Sequence, residues 1–263
     1  EIKPDHLQGK IQFDQVWMAY SGEDWILRDL SFEAPPGSTI AIVGATGSGK
    51  TTIINLINRF YEYQKGSIRI DDIDIRDMDV HAIRNQIAVV LQDVFLFSDS
   101  IANNITLNNP EITREQIIAA AVKVGADSFI QRLPGGYDFN VMERGAMLSA
   151  GQRQLIAFIR AYLFNPAILV LDEATSSVDT ETEQLIQQAI DTLTHNRTSI
   201  IIAHRLAKIQ KADVILVMEK GQIVERGNHQ ELLRQNGYYK HLFELQFKEQ
   251  INHTISYNSY HSK

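Results

Sequence analysis

The segment GATGSGKT, residues 44–51, combines three glycines with a lysine and a hydroxyl side chain. Glycines let the backbone turn tightly and direct successive N–H groups inward, which forms a concave site for an anion. The spacing GxxxxGK[ST], placed between the apolar run Ile40–Val43 and a helix-forming segment, predicts a phosphate-binding loop. We expect Lys50 to reach the terminal phosphates of a nucleoside triphosphate and Thr51 to bind Mg²⁺.

The second chemical signal is ILVLDE, residues 168–173. Its four apolar residues predict a buried strand that delivers Asp172 and Glu173 at its carboxyl end, where ligands bind in open parallel sheets. We expect Asp172 to help hold the magnesium shell and Glu173 to polarise the attacking water. An acidic pair alone also occurs as a helix cap, and a phosphate loop alone occurs in kinases, GTPases, helicases and transport ATPases.

The third motif is LSAGQRQ, which begins at Leu148. Together with the two motifs above, it resembles the signature LSGGQ of the ATP-binding cassette, the motor domain of ABC transporters. The resemblance runs from about Lys10 to Phe247. This sequence departs from the family pattern at Ala150, which replaces the first signature glycine, so we expect a functional but weakened closure between two cassettes.

The resemblance implies roles for further residues. Tyr20 matches the aromatic residue that stacks on adenine, with Trp17 and Trp25 as local rivals. Gln92 matches the glutamine that touches magnesium and senses the membrane domain, and His204 matches the switch histidine that contacts the γ-phosphate. The implied catalytic residues are Glu173, His204, Gln92 and Lys50. The implied magnesium ligands are Thr51, Gln92 and Asp172. The implied ATP-binding residues are Tyr20, Gly44, Thr46, Gly47, Ser48, Gly49, Lys50, Thr51, Thr52, Ser149, Gly151 and Gln152.

The signature segment predicts a second phosphate-binding end. Ser149 can cap a helix that begins near Gln152, where backbone N–H groups and the helix dipole attract an anion. In the family, two cassettes face head to tail, so that Ser149 and Gly151 of one chain close over the ATP held by residues 44–52 of the other. The implied partner is a second ABC domain, in a homodimer or a heterodimer, and Asp179 is expected at that interface.

Two further segments resemble the exporter branch of the family. They are QDVFLFSDSIANNI, which begins at Gln92, and VMERG, residues 141–145, which contains Glu143. Both are expected to receive coupling helices of transmembrane domains. The implied parent is a half-transporter similar to bacterial lipid and multidrug exporters, with ATP and Mg²⁺ as cofactors and a location on the cytoplasmic face of the membrane. A start at Glu1 instead of methionine suggests a mature fragment or an excised domain.

These motifs require an α/β fold with a P-loop NTPase core. The expected parallel strands are TIAIV, IAVVLQ, AILVLD and SIIIAH, followed by a hairpin of VILVM and GQIVE. An antiparallel β subdomain is expected from KIQFDQVWMAY, WILRDLSFEA and GSIRIDDIDI, and an inserted α-helical lobe from about 111 to 165. Thr180 and Glu183 have capping-box spacing at the start of a later helix. We expect an ABC ATPase domain over residues 1–248 and a flexible polar tail over 249–263.

Composition narrows the function classes. The chain has 263 residues, 44% of them hydrophobic, a net charge of −7 and no cysteine. It is long enough for an enzyme, has no disulfide framework, and its acidic balance weighs against nucleic acid as a partner. No apolar run approaches the roughly 20 residues needed to cross a bilayer, so the isolated domain is expected to be soluble.

Three alternatives have distinct sequence signals. A DNA-repair or translation ABC ATPase is expected to carry long coiled coils or two cassettes with a charged linker, and neither is visible. A small-molecule P-loop kinase predicts no LSAGQ. A cassette that binds ATP without hydrolysing it is opposed by Glu173 and His204. The favoured hypothesis is an ATP-hydrolysing motor domain that drives transport across a membrane.

Overall fold

The computed structural model describes residues 2–173 and 178–246. The chain comprises two compact units. The first consists of residues 1–12, 33–38 and 69–200, and the second of residues 13–32, 39–68 and 201–263. The chain passes between them within strands β1 (Ile11–Ala19), β2 (Trp25–Ala34), β4 (Lys65–Ile70) and β8 (Thr198–Ala203). The predicted polar tail, 249–263, lies outside the described residues.

The second unit contains the phosphate-loop strand. Strands β2, β1 and β4 are neighbours in one sheet, and the order β10-β9-β3-β8 holds in the other. The bounds are β3 Thr39–Gly44, β9 Val214–Glu219 and β10 Gln222–Gly227, with helices α1 Lys50–Ile57, α8 His229–Gln235 and the last described helix over residues 238–246. Strand β3 is parallel to β9, which forms an antiparallel hairpin with β10. Ile40–Val43 are buried, as expected for a strand covered on both faces.

The first unit contains the acidic strand and most of the helices. Strand β6 (Ile87–Val90) is parallel to β7 (Ile168–Glu173), which lies next to β8, and the end of β4 pairs antiparallel with β5 (Ile73–Asp74). The helices are α2 Val80–Arg84, α3 Ile101–Thr106, α4 Arg114–Val124, α5 Asp127–Gln131, α6 Ala150–Phe164 and α7 Thr180–Thr194. The predicted mixed α/β fold, with its antiparallel strands and terminal hairpin, is confirmed.

Two local predictions were wrong. Thr180 does not cap α7, because it is the first residue of that helix and the carboxylate of Asp179 accepts from the backbone N–H of Thr182 at 2.9 Å. Strand β6 ends at Val90, so that Gln92 lies in the loop that follows.

Among the described residues, no helix combines the length and the apolar character needed to cross a membrane.

Candidate functional site

The predicted phosphate loop connects β3 to α1 within the second unit. Residues 45–47 are exposed, whereas Ile40–Val43 are buried, so the strand fixes the start of the loop and its tip lies at the surface. Gly49 precedes α1 with φ of 102°. A Cβ atom at Gly49 would lie 2.7 Å from Leu27 Cδ2, so the backbone conformation and the close packing both require glycine.

Lys50, the first residue of α1, is buried inside this loop. Its Nζ donates to the carbonyl oxygens of Gly44 and Ala45 at 2.8 and 2.9 Å. The ammonium group therefore lies beside the backbone that begins the loop. A cation held there next to the N-terminal end of a helix is suited to binding phosphate oxygens.

Tyr20 is the best placed of the three aromatic candidates for stacking on a base. Its hydroxyl is hydrogen-bonded to that of Thr52 in α1 at 3.0 Å, while the residue is 48% exposed. The rings of Trp17 and Trp25 instead form an edge-to-face pair at 5.5 Å, and Lys65 Nζ lies over both rings. Of the three rings, only Tyr20 is thus tied directly to the helix that follows the loop.

His204 directly follows β8 and is exposed. In the second unit β8 is the neighbour of β3, the strand that leads into the phosphate loop. The structure therefore places Tyr20, the phosphate loop and His204 in one compact unit.

Gln92 and Asp172 leave the same edge of the sheet in the first unit. Parallel strands β6 and β7 are in a register that pairs Val90 with Leu171, so both chains continue from the same end. Gln92 is exposed two residues after β6, and Asp172 is the penultimate residue of β7. Glu173 ends β7, as the sequence predicted.

The signature segment forms the predicted helix start in the first unit. Ser149 Oγ accepts from the backbone N–H of Gln152 at 3.2 Å, and the Gln152 side chain accepts from the backbone N–H of Ser149 at 3.0 Å. This reciprocal capping box begins α6. The hydroxyl of Ser149 accepts in this arrangement, so its own proton remains available for donation.

The two signature positions after Ser149 have different surroundings. Ala150 is exposed, and its side chain is accommodated at the surface. A Cβ at Gly151 would lie only 2.4 Å from Thr182 Cγ2 and 3.0 Å from Val178 Cγ1. The absence of a side chain at Gly151 therefore lets α6 approach the start of α7.

The segment after Gln92 presents an aromatic loop, which we define as residues 94–99. Phe95 and Phe97 are 56% and 54% exposed, with their rings edge to face at 5.0 Å. Beneath them, the buried Asn104 side chain accepts from the N–H of Phe97 at 2.8 Å and donates to its carbonyl oxygen at 3.0 Å. Arg160 of α6 donates to the carbonyl oxygen of Phe95 at 3.1 Å.

A cleft of about 540 Å³ adjoins the aromatic loop. Its lining residues are Gln92, Asp93, Val94, Phe95, Arg144, Ala150 and Arg153. Two further apolar side chains, Met142 and Met147, are 51% and 59% exposed in the segment that contains Glu143. The two segments that resemble the exporter branch therefore contribute to a single cleft in the first unit.

Sequence reasoning did not identify Asn104 or Arg160. The signal for Arg160 was a charged residue inside the apolar run IAFIRAYLF. Burial of its long side chain lowers the pKa of Arg160 to about 10. The guanidinium is tolerated there because it donates two hydrogen bonds to Asn104 and one to Phe95. Asn104 lacked a comparable signal, because the sequence does not show which asparagine of the NNI segment points inward.

The fold and these motifs define a P-loop nucleotide-binding domain. A model of the ABC transporter family matches residues 27–176, more than half of the chain. The chain therefore belongs to the ABC transporter family.

Relatives of this chain include two bacterial transporters. The ATP-dependent lipid A-core flippase of Shewanella frigidimarina is 52% identical over 248 residues, which cover 93% of this chain and 41% of that protein. The fatty acid ABC transporter ATP-binding/permease protein of Mycobacterium bovis is 50% identical over 234 residues, or 89% of this chain and 37% of that protein.

A solved structure gives a similar result. A bacterial Atm1-family ABC exporter with ATP bound aligns with a TM-score of 0.85 and 42% identity, over 90% of this chain and 42% of that one. The chain thus spans about two fifths of the length of these relatives.

Proposed function

We propose that this chain is the ATP-hydrolysing motor domain of an ABC exporter, which drives transport by ATP-dependent head-to-tail dimerisation and hydrolysis. The observation that carries this proposal is the phosphate loop with the Lys50 ammonium inside it. The relatives named as an ATP-dependent flippase and as an ATP-binding/permease protein support the exporter class. They favour it over a repair or translation ATPase.

For nucleotide binding, we assign the phosphates to residues 44–52 and the adenine to the exposed ring of Tyr20. Lys50 would exchange its contacts with the loop carbonyls for the β- and γ-phosphates, which are stronger partners because they are charged. The bond between Tyr20 and Thr52 holds the ring next to the helix that starts at the phosphates. Base and phosphate contacts are therefore linked through α1.

The residues proposed for magnesium suit this ion. Thr51, Gln92 and Asp172 offer a hydroxyl, an amide oxygen and a carboxylate, which is the hard oxygen donor set that Mg²⁺ prefers, and one carboxylate is typical when substrate phosphates supply further ligands. When bound, Mg²⁺ offsets charge on the phosphate oxygens. Glu173 is proposed as the base that takes a proton from the attacking water, and His204 as a donor toward the γ-phosphate.

For the dimer, we propose that Ser149, Gly151 and Gln152 close over the ATP of a partner cassette. The Ser149 hydroxyl can donate to a phosphate oxygen while it still caps α6, since it only accepts from Gln152 in the cap. Ala150 is exposed beside it, so its methyl group would face the closing surface. This placement is the physical basis for expecting a weakened closure.

We propose that the cleft beside the aromatic loop receives coupling helices of transmembrane domains, in the same or a partner chain. Exposed Phe95 and Phe97 supply apolar contact area, and Asn104 and Arg160 fix their backbone from below. Aromatic side chains are enriched among the interface residues that contribute most to the binding free energy. The proposed location is accordingly the cytoplasmic face of a membrane.

Binding and hydrolysis of ATP test this function. Lys50→Ala should abolish productive ATP binding in a fluorescent-nucleotide titration and in a phosphate-release assay, because the loop loses its cation. Lys123→Ala, which removes a lysine from an exposed position in α4, is the matched control and should bind and hydrolyse ATP as the parent chain does. Unchanged ATP affinity in Lys50→Ala would contradict the proposed role of the loop.

The adenine contact has its own pair of variants. Tyr20→Ala should weaken ATP binding by about 1 kcal/mol, the size of an aromatic contact, and Tyr20→Trp should restore it. If both variants bind ATP as the parent does, the base stacks elsewhere.

A further inference from the structure

The last described helix, residues 238–246, brings Gln246 beside the backbone that carries His204. Gln246 Nε2 donates to the carbonyl oxygen of His204 at 2.8 Å, and Gln246 Oε1 accepts from the backbone N–H of Leu206 at 2.9 Å. One side-chain amide thus bonds to the chain on both sides of Arg205. These residues all belong to the second unit.

The helix that presents Gln246 is anchored at its start. The carboxylate of Glu225, in β10, accepts from the backbone N–H groups of Tyr238 and Tyr239 at 2.5 and 2.9 Å. A carboxylate at this end satisfies N–H groups that the helix itself cannot pair, and it complements the helix dipole.

The same helix is also anchored along its inner face. Tyr239 is fully buried, and its hydroxyl lies 2.8 Å from His229 Nδ1 of α8. The ring of Phe243 contacts both side chains, with centroid distances of 6.4 Å to Tyr239 and 5.1 Å to His229. Gln246 is therefore presented to the loop from a fixed element, which is what precise orientation of a neighbouring group requires.

The loop that Gln246 contacts begins where β8 ends. Ala203 is the last residue of the strand, and a short 3₁₀ helix starts at Leu206. The two residues between these elements, His204 and Arg205, lie outside regular structure. A primary amide suits this position because it donates and accepts at once, whereas a carboxylate only accepts and a hydrocarbon does neither.

We infer that Gln246 is a positioning residue for His204. Its amide holds the backbone between β8 and Leu206 in one conformation, and this fixes the point from which the imidazole reaches the nucleotide. The inference rests on the proposed role of His204 in ATP hydrolysis. Its consequence is that the last helix takes part in setting the rate of hydrolysis without contacting ATP.

The test compares three variants of the 263-residue chain. Gln246→Ala removes both hydrogen bonds, and Gln246→Glu keeps the acceptor for Leu206 but places a carboxylate against the His204 carbonyl oxygen. Leu245→Ala changes an exposed neighbour on the same helix and is the control. Both Gln246 variants should lower kcat for ATP hydrolysis by roughly three- to tenfold, the equivalent of about one hydrogen bond, with KM for ATP unchanged within about twofold.

A direct readout is the ring 1H–15N spectrum of the histidines. The His204 signal is assigned by its loss in His204→Ala, and it should shift or broaden in both Gln246 variants but not in Leu245→Ala. An unmoved His204 signal in Gln246→Ala, or a parental kcat in both variants, would overturn the inference. If Gln246→Ala unfolds at a lower temperature than the parent, the spectrum of Gln246→Glu tests the inference instead. That variant retains the hydrogen bond from Leu206.

The inference and the proposed function fail differently. If His204→Ala hydrolyses ATP at the parental rate, the proposed catalytic role of His204 is wrong even where the Gln246 variants shift its signal. If His204→Ala is inactive while both Gln246 variants leave rate and signal unchanged, the positioning role alone is wrong.

Discussion

Substitution of Gly151 by alanine should destabilise this protein for a reason unrelated to ATP. The new Cβ would lie 2.4 Å from Thr182 Cγ2, well inside the contact distance of two carbon atoms. The backbone N–H of Thr182 donates to the Asp179 carboxylate at 2.9 Å, which fixes this residue at the start of α7. The start of α7 would therefore have to move away from α6.

The size of the effect follows from two opposing contributions. Overpacking of this kind costs about 1–3 kcal/mol, and replacing glycine in a helix recovers about 0.5–1 kcal/mol. The two contributions give a net loss of about 0–2.5 kcal/mol, and its midpoint of about 1.3 kcal/mol should lower the melting temperature by about 2.5–5 °C for a domain of this size. Thermal unfolding followed by circular dichroism at neutral pH measures this shift.

A second substitution separates packing from other causes. Thr182→Ser deletes the methyl group that the new Cβ would meet and keeps the backbone N–H that bonds to Asp179. In the Thr182→Ser chain, Gly151→Ala should lower the melting temperature by clearly less than it does in the parent chain. The difference measures the coupling between the two sites. A parental melting temperature in Gly151→Ala, or an equal decrease in both backgrounds, would refute the packing argument.

Two further predictions concern stability. Burial lowers the pKa of His229 below its ordinary value of 6.5, so the unfolded chain binds the proton more readily than the folded one. The contribution of His229 to the free energy of unfolding should therefore be complete above about pH 6.5. It should decrease as the pH falls from there toward the folded-state pKa. Between about pH 7.5 and about pH 5.5, the melting temperature of His229→Gln should fall by less than that of the parent. An equal fall in both proteins would contradict this. Asn104→Ala should cost about 1–3 kcal/mol because it leaves backbone groups of the aromatic loop unpaired. Exposed Asn103→Ala, which loses a bond to Asp99, should cost clearly less in the same melts; equal losses would argue against the buried network.

The parts of the fold that the sequence predicted are those governed by local pattern. Buried strands such as β3 and β7 were visible as apolar runs of strand length that end in chemically distinctive residues. The cap of α7 was missed because Asp179 and Thr180 are adjacent residues that are both good caps, and a one-residue shift decides between them.

The parts of the site that the sequence did not reveal depend on distant contacts. Gln246 meets the chain next to His204 across 42 positions, and Arg160 meets Asn104 across 56. A motif search cannot find such pairs, because each residue alone is ordinary for a helix. The proposed phosphate-binding residues of the loop could be named from the sequence because phosphate chemistry imposes short, fixed spacings. The proposed roles of Tyr20, Gln92 and His204 came from the family resemblance.

Trapping of an ATP-bound dimer tests the central claim most directly. Glu173→Gln removes the proposed proton acceptor with little change in size, so hydrolysis should fall by roughly 10²- to 10⁴-fold while ATP still binds. Light scattering after size exclusion, with and without Mg·ATP, should then show an ATP-dependent dimer of Glu173→Gln, and Ser149→Arg in the same chain should abolish that dimer but preserve ATP binding. A Glu173→Gln chain that stays monomeric at saturating ATP, or a dimer indifferent to Ser149→Arg, would contradict the proposed motor.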